Sequence, residues 1–190
     1  MPKLGMEPIR RDAIVKATIA ELGAKKSLDV TVSQIAKRAG MSSALAHHYF
    51  GGKDQIFLAA MRRILSDFGA EARQELSSAA PDERPQAIIR SCFAPSCFTP
   101  DVIAAWMTFY VLAQTNEEAL RLWKIYQARI RSNLIHALRP LLSDPVEVAD
   151  DMVALIDGLY IHAALNAPEE PELAVNHAMR VLDTFLEAEK

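Results

Sequence analysis

Two cysteines are all that 190 residues provide, Cys92 and Cys97 in CFAPSCF. With no third or fourth ligand beside them, they make no metal site. Long apolar runs are missing too, and nothing approaches the ~20 residues that span a bilayer. The opening MPKLGMEPIRR has no apolar core of the kind a secretory leader carries, which sets the expectation of a cytoplasmic protein. In such a compartment a disulfide is not expected, and the two thiols read as small core-fillers. Strand-like alternation is absent, as are repeats and low-complexity tracts. So is any catalytic constellation. The neighbouring acids Glu117–Glu118 and Asp150–Asp151 point about 100° apart on a helix and read as solvated faces. His136 and His162 have no motif partner, so no enzyme is expected.

What is present is helical periodicity throughout a chain that is 51% apolar and 24% charged, a composition that supports a packed core. The net charge of −3 conceals an asymmetry. Residues 1–55 carry nine Lys and Arg against five Asp and Glu, a net +4, and residues 56–190 carry twelve against nineteen, a net −7. A basic first quarter on an acidic remainder is the pattern of a chain whose one end meets a polyanion. In EPIRRDAIVKATIAELGAKKS, Ile9, Ala13, Ala17 and Ala20 share one helix face, and Gly23 with the lysine pair is expected to close the helix. Thr31 and Gln34 have capping-box spacing at the head of TVSQIAKRAG. Gly40 stands where a left-handed residue stops that helix, and Ser42 caps the next. A very short helix of about 42–48 follows, and then a long one from KDQIFLAAMRRIL. SSAAPDERP is the clearest loop. Further helices follow, punctuated by Pro100, Pro140, Pro145, Pro168 and Pro171. The expectation is an all-α fold of about nine helices: a three-helix helix-turn-helix domain over 1–55 and a helical bundle over 56–190.

The short helix buries too little to be a core element. Three short helices, the last two joined by a tight glycine turn, describe a helix-turn-helix whose second helix enters a DNA major groove. The stretch TVSQIAKRAGMSSALAHHYFGGKDQIF resembles the signature of the TetR family at Thr31, Ile35–Ala36, Ala39–Gly40, Ser42, Tyr49–Phe50 and Lys53. That resemblance implies a DNA-contacting set of Thr31, Ser42, Ser43, Ala44, Leu45, His47, His48, Tyr49 and Lys53. Tyr49 and Lys53 would touch phosphate, and Phe50 would belong to the core. The family commonly has Gly-Thr in place of Ala44–Leu45 and Leu-Tyr in place of Ala46–His47. Here Ala44 or Leu45 would meet a thymine methyl group, and His47 would replace the tyrosine as phosphate donor.

One helix-turn-helix binds weakly, so a twofold dimer on a palindromic operator is expected. The last two helices are its natural interface, through Val148, Met152, Leu155, Ile156, Leu159, Leu173, Val181, Leu182 and Phe185. The same residues also read as the core of one subunit.

Both tryptophans and three of the four tyrosines follow residue 55. Trp106, Phe109 and Tyr110 share one helix face, and Trp123 and Tyr126 share another. Such stripes are ordinarily core; two of them together, flanked by alanines, also suit a ligand pocket. Asp157 lies in the apolar run ALIDGLYIH with Tyr160 on its side. It needs a loop hydrogen bond, an arginine such as Arg129, or a ligand cation held among aromatic faces. The opening MPKLGM with IRR, then HYF, AAWMTFY and ALIDGLYIHAAL, resembles the choline-responsive branch of the same family, repressors of glycine betaine synthesis genes. It implies choline as effector, with betaine aldehyde or glycine betaine as weaker ones, no cofactor, and a ligand site at Trp106, Phe109, Tyr110, Trp123, Tyr126, Asp157 and Tyr160. The alternative is a family member that senses a different apolar or cationic molecule, such as a drug. In either case the helix after Lys53 is the expected lever between the two halves.

Overall fold

The computed structural model describes residues 6–27, 29–166 and 170–189. Pro168 and the first five residues, which entered the sequence reading, lie outside them. Among the described residues all regular structure is helical. Helices α1 (Met6–Lys25), α2 (Val32–Arg38) and α3 (Ser43–Phe50) form the head. Helix α4 (Lys53–Ser78) leads away from it. A single 3₁₀ turn at Pro81–Glu83 breaks the expected loop, and α5 (Arg84–Cys92), α6 (Pro100–Ala113), α7 (Glu117–Leu138), α8 (Pro145–Leu165) and α9 (Pro171–Ala188) complete the bundle.

Local chemistry sets the head. The Thr31 hydroxyl accepts from the Gln34 amide at 3.2 Å, while the Gln34 side chain accepts from the Thr31 amide at 2.9 Å. These reciprocal bonds satisfy two amides that a helix start leaves orphaned. At the other end of α2, Gly40 takes φ 67°. Its amide bonds to Lys37 O, and the Met41 amide to Ala36 O, the paired closure that needs a left-handed residue at that point. Ser42 then caps α3 through the Leu45 amide at 3.2 Å. Ile14, Leu22, Val30, Ile35, Ala36, Ala46 and Ile56 fill the space among α1–α4, all nearly or fully buried. Each of the larger side chains contributes about 1.5–3 kcal/mol by leaving water.

Gly23 does something other than close its helix. Helix α1 runs through it to Lys25, and Lys26 takes the positive φ, 49°. A Cβ at Gly23 would stand 1.8 Å from Asp101 Oδ1 and 2.7 Å from Asp101 Cα. The missing side chain is what lets α1 lie against the start of α6.

One contiguous apolar core runs from the head into the bundle and includes both thiols as free, buried cysteines. Val148, Met152, Ile156, Leu159 and Leu182 all belong to it. Of the two roles expected of those five, the structure shows the internal one, because each is buried within its own subunit. Leu155, Val181 and Phe185 are half-buried, and Leu173 is 56% exposed. The outward face of α8 is instead Ala154, Gly158, Ile161 and Leu165, with Ile161 43% and Leu165 80% exposed.

Two sets of contacts join head to bundle. Besides the Gly23–Asp101 approach, α4 is clasped to the start of α7. Gln55 donates to Glu118 at 3.0 Å, Arg62 pairs with the same carboxylate, and Asn116 donates to Asp54 at 3.3 Å. Arg63 bridges α4 to Asp12 of α1 at 2.6 Å. The expected domain boundary after residue 55 falls in the first turn of α4, so the two halves share a helix.

Candidate functional site

Helix α3 buries only Ala46 completely. Ala44, His47 and His48 are exposed, and Ser43, Leu45, Tyr49 and Phe50 are half-buried. A helix of eight residues that leaves most of its surface free, held by a cap at its start, is built to present that surface. His47 Nδ1 lies 3.2 Å from Gly51 O, which orients the ring at the helix end. Thr31 and Ser42 are exposed, but both hydroxyls are occupied as caps; what they offer a phosphate is an ordered helix start. Lys53 begins α4 with its ammonium 5.4 Å from the Phe57 ring centroid.

Two cations here escaped the sequence reading. Arg10 donates to the Tyr49 hydroxyl at 3.4 Å. The Arg11 guanidinium lies over the Tyr49 and Phe50 rings, 5.6 and 5.1 Å from their centroids. They place positive charge beside the exposed edge of α3. The only signal was the pair Arg10–Arg11 one helix away, and nothing in its spacing connects it to Tyr49. Behind them, Arg38 reaches Glu21 at 2.5 Å and ties α2 to α1.

The second constellation lies between α6, α7 and α8. Trp106 is its centre, with ring centroids 4.8 Å from Tyr126, 5.7 Å from Tyr110, 5.9 Å from Phe109 and 6.2 Å from Tyr160. Trp106, Phe109, Tyr126 and Tyr160 are buried. The Tyr160 hydroxyl donates to Cys92 O at 2.6 Å and lies 3.1 Å from Cys97 O, which pins the α5–α6 connection. Tyr110, Trp123 and Asp157 are only half-buried; Tyr110 and Asp157 meet beside Trp106, and Trp123 stands on α7 one turn before Gln127 with no ring contact to the cluster among the described residues. The seven expected residues thus divide into four that are buried and three that are half-buried.

Asp157 is the chemically informative member. Its carboxylate accepts from Tyr110 OH at 3.0 Å and from Gln127 Nε2 at 2.6 Å. Arg129 is exposed and is not among the groups acting on this carboxylate. Among the described residues no cation pairs with this acid. Burial pushes its pKa up, and the two hydrogen bonds oppose that rise. Burial likewise raises the Tyr110, Tyr126 and Tyr160 phenols. The arrangement is an acid held among aromatic faces with neutral partners only, which favours an incoming positive charge. Gln127 was missed in the sequence because an amide one residue after Tyr126 looks like ordinary helix surface.

A cavity of about 530 Å³ opens on another side of α6. It is walled by Phe98, Ile103, Met107, Val111 and Leu165, with Lys26 at its edge. Among the described residues no cluster could hold a metal ion, and no helix is long and apolar enough to cross a membrane.

Known proteins with these features are regulators. A model of the bacterial regulatory proteins of the TetR family matches residues 14–60, and one of the BetI-type transcriptional repressor C-terminal domain matches residues 81–188. The chain is 49% identical over 177 residues to the HTH-type transcriptional regulator BetI of Brucella suis biovar 1, covering 92% of this chain and 89% of that protein. Against BetI of Agrobacterium fabrum it is 48% identical over 172 residues, 88% and 84% of the two chains. Among solved structures, a transcriptional regulator from Pseudomonas aeruginosa PAO1 shares the fold with a TM-score of 0.81 at 24% identity, over 97% of this chain and 93% of that one. A regulator from Saccharomonospora viridis, solved in complex with choline, does so with a TM-score of 0.75 at 22% identity, over 93% and 95%.

Proposed function

The chain belongs to the TetR family of transcriptional regulators and carries a BetI-type repressor C-terminal domain; from that membership we propose a homodimeric repressor of choline-to-glycine-betaine genes that leaves its operator when choline binds the α6–α8 rim. The observation that carries the effector assignment is Asp157, an acid set among aromatic rings whose partners among the described residues are neutral. A quaternary ammonium group cannot lose its charge, so it supplies the countercharge permanently. Each well-placed aromatic face adds about 0.5–2 kcal/mol. A regulator that shares the fold has been solved in complex with choline.

Residues 1–55 act as the DNA-reading half in this account. Ala44, Leu45 and His48 meet the groove, and His47, Tyr49, Lys53, Arg10 and Arg11 meet the backbone. Dimerisation uses the outward faces of α8 and α9, where Gly158 has open space above it and Ile161, Leu165 and Leu173 are exposed. Four helices across a twofold axis bury those faces and set the spacing of the two heads.

The coupling follows from which elements carry what. Gln127, Trp123 and Tyr126 lie on α7, whose first turn holds α4 through Glu118. Tyr110 and Trp106 lie on α6, whose start holds α1 through Asp101 and Gly23. A ligand that shifts α7 against α6 therefore tilts the head. For release, choline must bind the tilted state more tightly than the operator-bound one. The test is a gel shift on DNA upstream of the protein's own gene, with and without millimolar choline. Loss of the shifted band with choline is expected; a band indifferent to choline contradicts the assignment.

The cavity beside α6 favours a second reading, a repressor that senses an apolar molecule. Asp157→Asn separates the two. A cation sensor loses its response and keeps its operator, whereas an apolar sensor keeps both.

A further inference from the structure

Two buried polar atoms on α7, the helix whose Gln127 bonds Asp157, have no hydrogen-bond partner among the described residues: Trp123 Nε1, a donor, and Gln127 Oε1, an acceptor. They stand one turn apart on the same face of α7. The amide of Gln127 is oriented by its own contact, because Nε2 donates to Asp157 Oδ2 at 2.6 Å and Oε1 is left on the opposite side. Buried polar groups in folded proteins are almost always paired, so two orphans of opposite character beside a ligand rim call for a third group. A hydroxyl is that group: it accepts from one and donates to the other.

We propose that Trp123 and Gln127 form a hydroxyl-reading pair that selects quaternary ammonium alcohols over other quaternary ammonium compounds. The proposal rests on the rim being the effector site. A ligand in which methyl replaces hydroxyl leaves both atoms unpaired. An aldehyde satisfies Trp123 alone. A carboxylate satisfies Trp123 but brings negative charge against Gln127 Oε1 and towards Asp157. The rim thereby distinguishes an alcohol from its own oxidation products, which suits a sensor that responds to a substrate and not to the acid made from it. A site built to bond a hydroxyl rejects the analogue that lacks one far more strongly than an apolar pocket does.

The test is calorimetric titration of the full-length protein with choline and with n-propyltrimethylammonium, which carries methyl in place of the hydroxyl. The wild type is expected to prefer choline by about tenfold or more. Trp123→Phe keeps an aromatic ring and removes the N–H. It is expected to bring the preference near one, read as the ratio of the two affinities so that any loss of ring surface common to both ligands cancels. Gln127→Met gives a second comparison should the first variant fold poorly. Equal wild-type affinity for the two ligands overturns the hydroxyl reading and leaves the cation site standing, as does a preference unchanged in the variants. Failure of the wild type to bind either ligand removes the effector site and this proposal with it.

Discussion

At the scale of single residues, Asp157 gives the sharpest expectations. Its neighbours are Tyr110 from α6 and Gln127 from α7, neither of which titrates in the acid range. Burial raises its pKa above the ordinary 3.8. Without ligand, the stability linked to this group is therefore complete below the ordinary value and is lost as pH rises through the raised one. A bound cation reverses the preference by favouring the carboxylate. Choline affinity should thus fall as pH drops through the raised pKa and level off above it. Calorimetry across that range checks the slope, and Asp157→Asn should bind weakly with no slope at all. The sequence showed that this acid needed a partner but not which one. Tyr110 and Gln127 are 47 and 30 residues away, and only the packing of three helices brings them to it.

At the scale of elements, what was legible was what is local. The Thr31–Gln34 box, the Gly40 closure and the Ser42 cap are each set by residues three or four apart, and the structure contains all three. Thr31→Ala should lower stability by about 1 kcal/mol, read as a shift in the urea midpoint. Gly23 was misread for the opposite reason: its role is set by Asp101, 78 positions on, and a glycine near a helix end looks like a stop. Gly23→Ala should cost about 1–3 kcal/mol by forcing α1 off α6. It should also weaken operator binding if the head's position depends on that contact. Thermal unfolding and a gel shift on the same variant test both statements. The buried faces of α8 and α9 were left open between interface and core because an apolar residue on a two-faced helix does not declare which face is inward. The small residues Ala154 and Gly158 on the outer face carried no hydrophobic signal.

At the scale of the whole molecule, charge and symmetry divide the work. The head's positive charge supplies grip on phosphate and the bundle's negative charge keeps the rest of the chain off the duplex. Operator affinity should fall steeply with salt, with a slope of log affinity against log salt near −0.9 for each phosphate contact. Gly158→Arg places a cation at the centre of the expected dimer face, where a side chain meets open space within the subunit. It should leave helix content unchanged by circular dichroism, shift sedimentation towards the monomer and abolish high-affinity operator binding. A variant that stays dimeric would move the interface elsewhere.

The central claim is that rim and reading helix are linked through one equilibrium, and linkage is reciprocal. The most direct measurement is the choline dissociation constant with and without saturating operator DNA, followed by tryptophan fluorescence. The account predicts that operator weakens choline binding by the same factor by which choline weakens operator binding. A choline affinity unchanged or strengthened by the operator would contradict it.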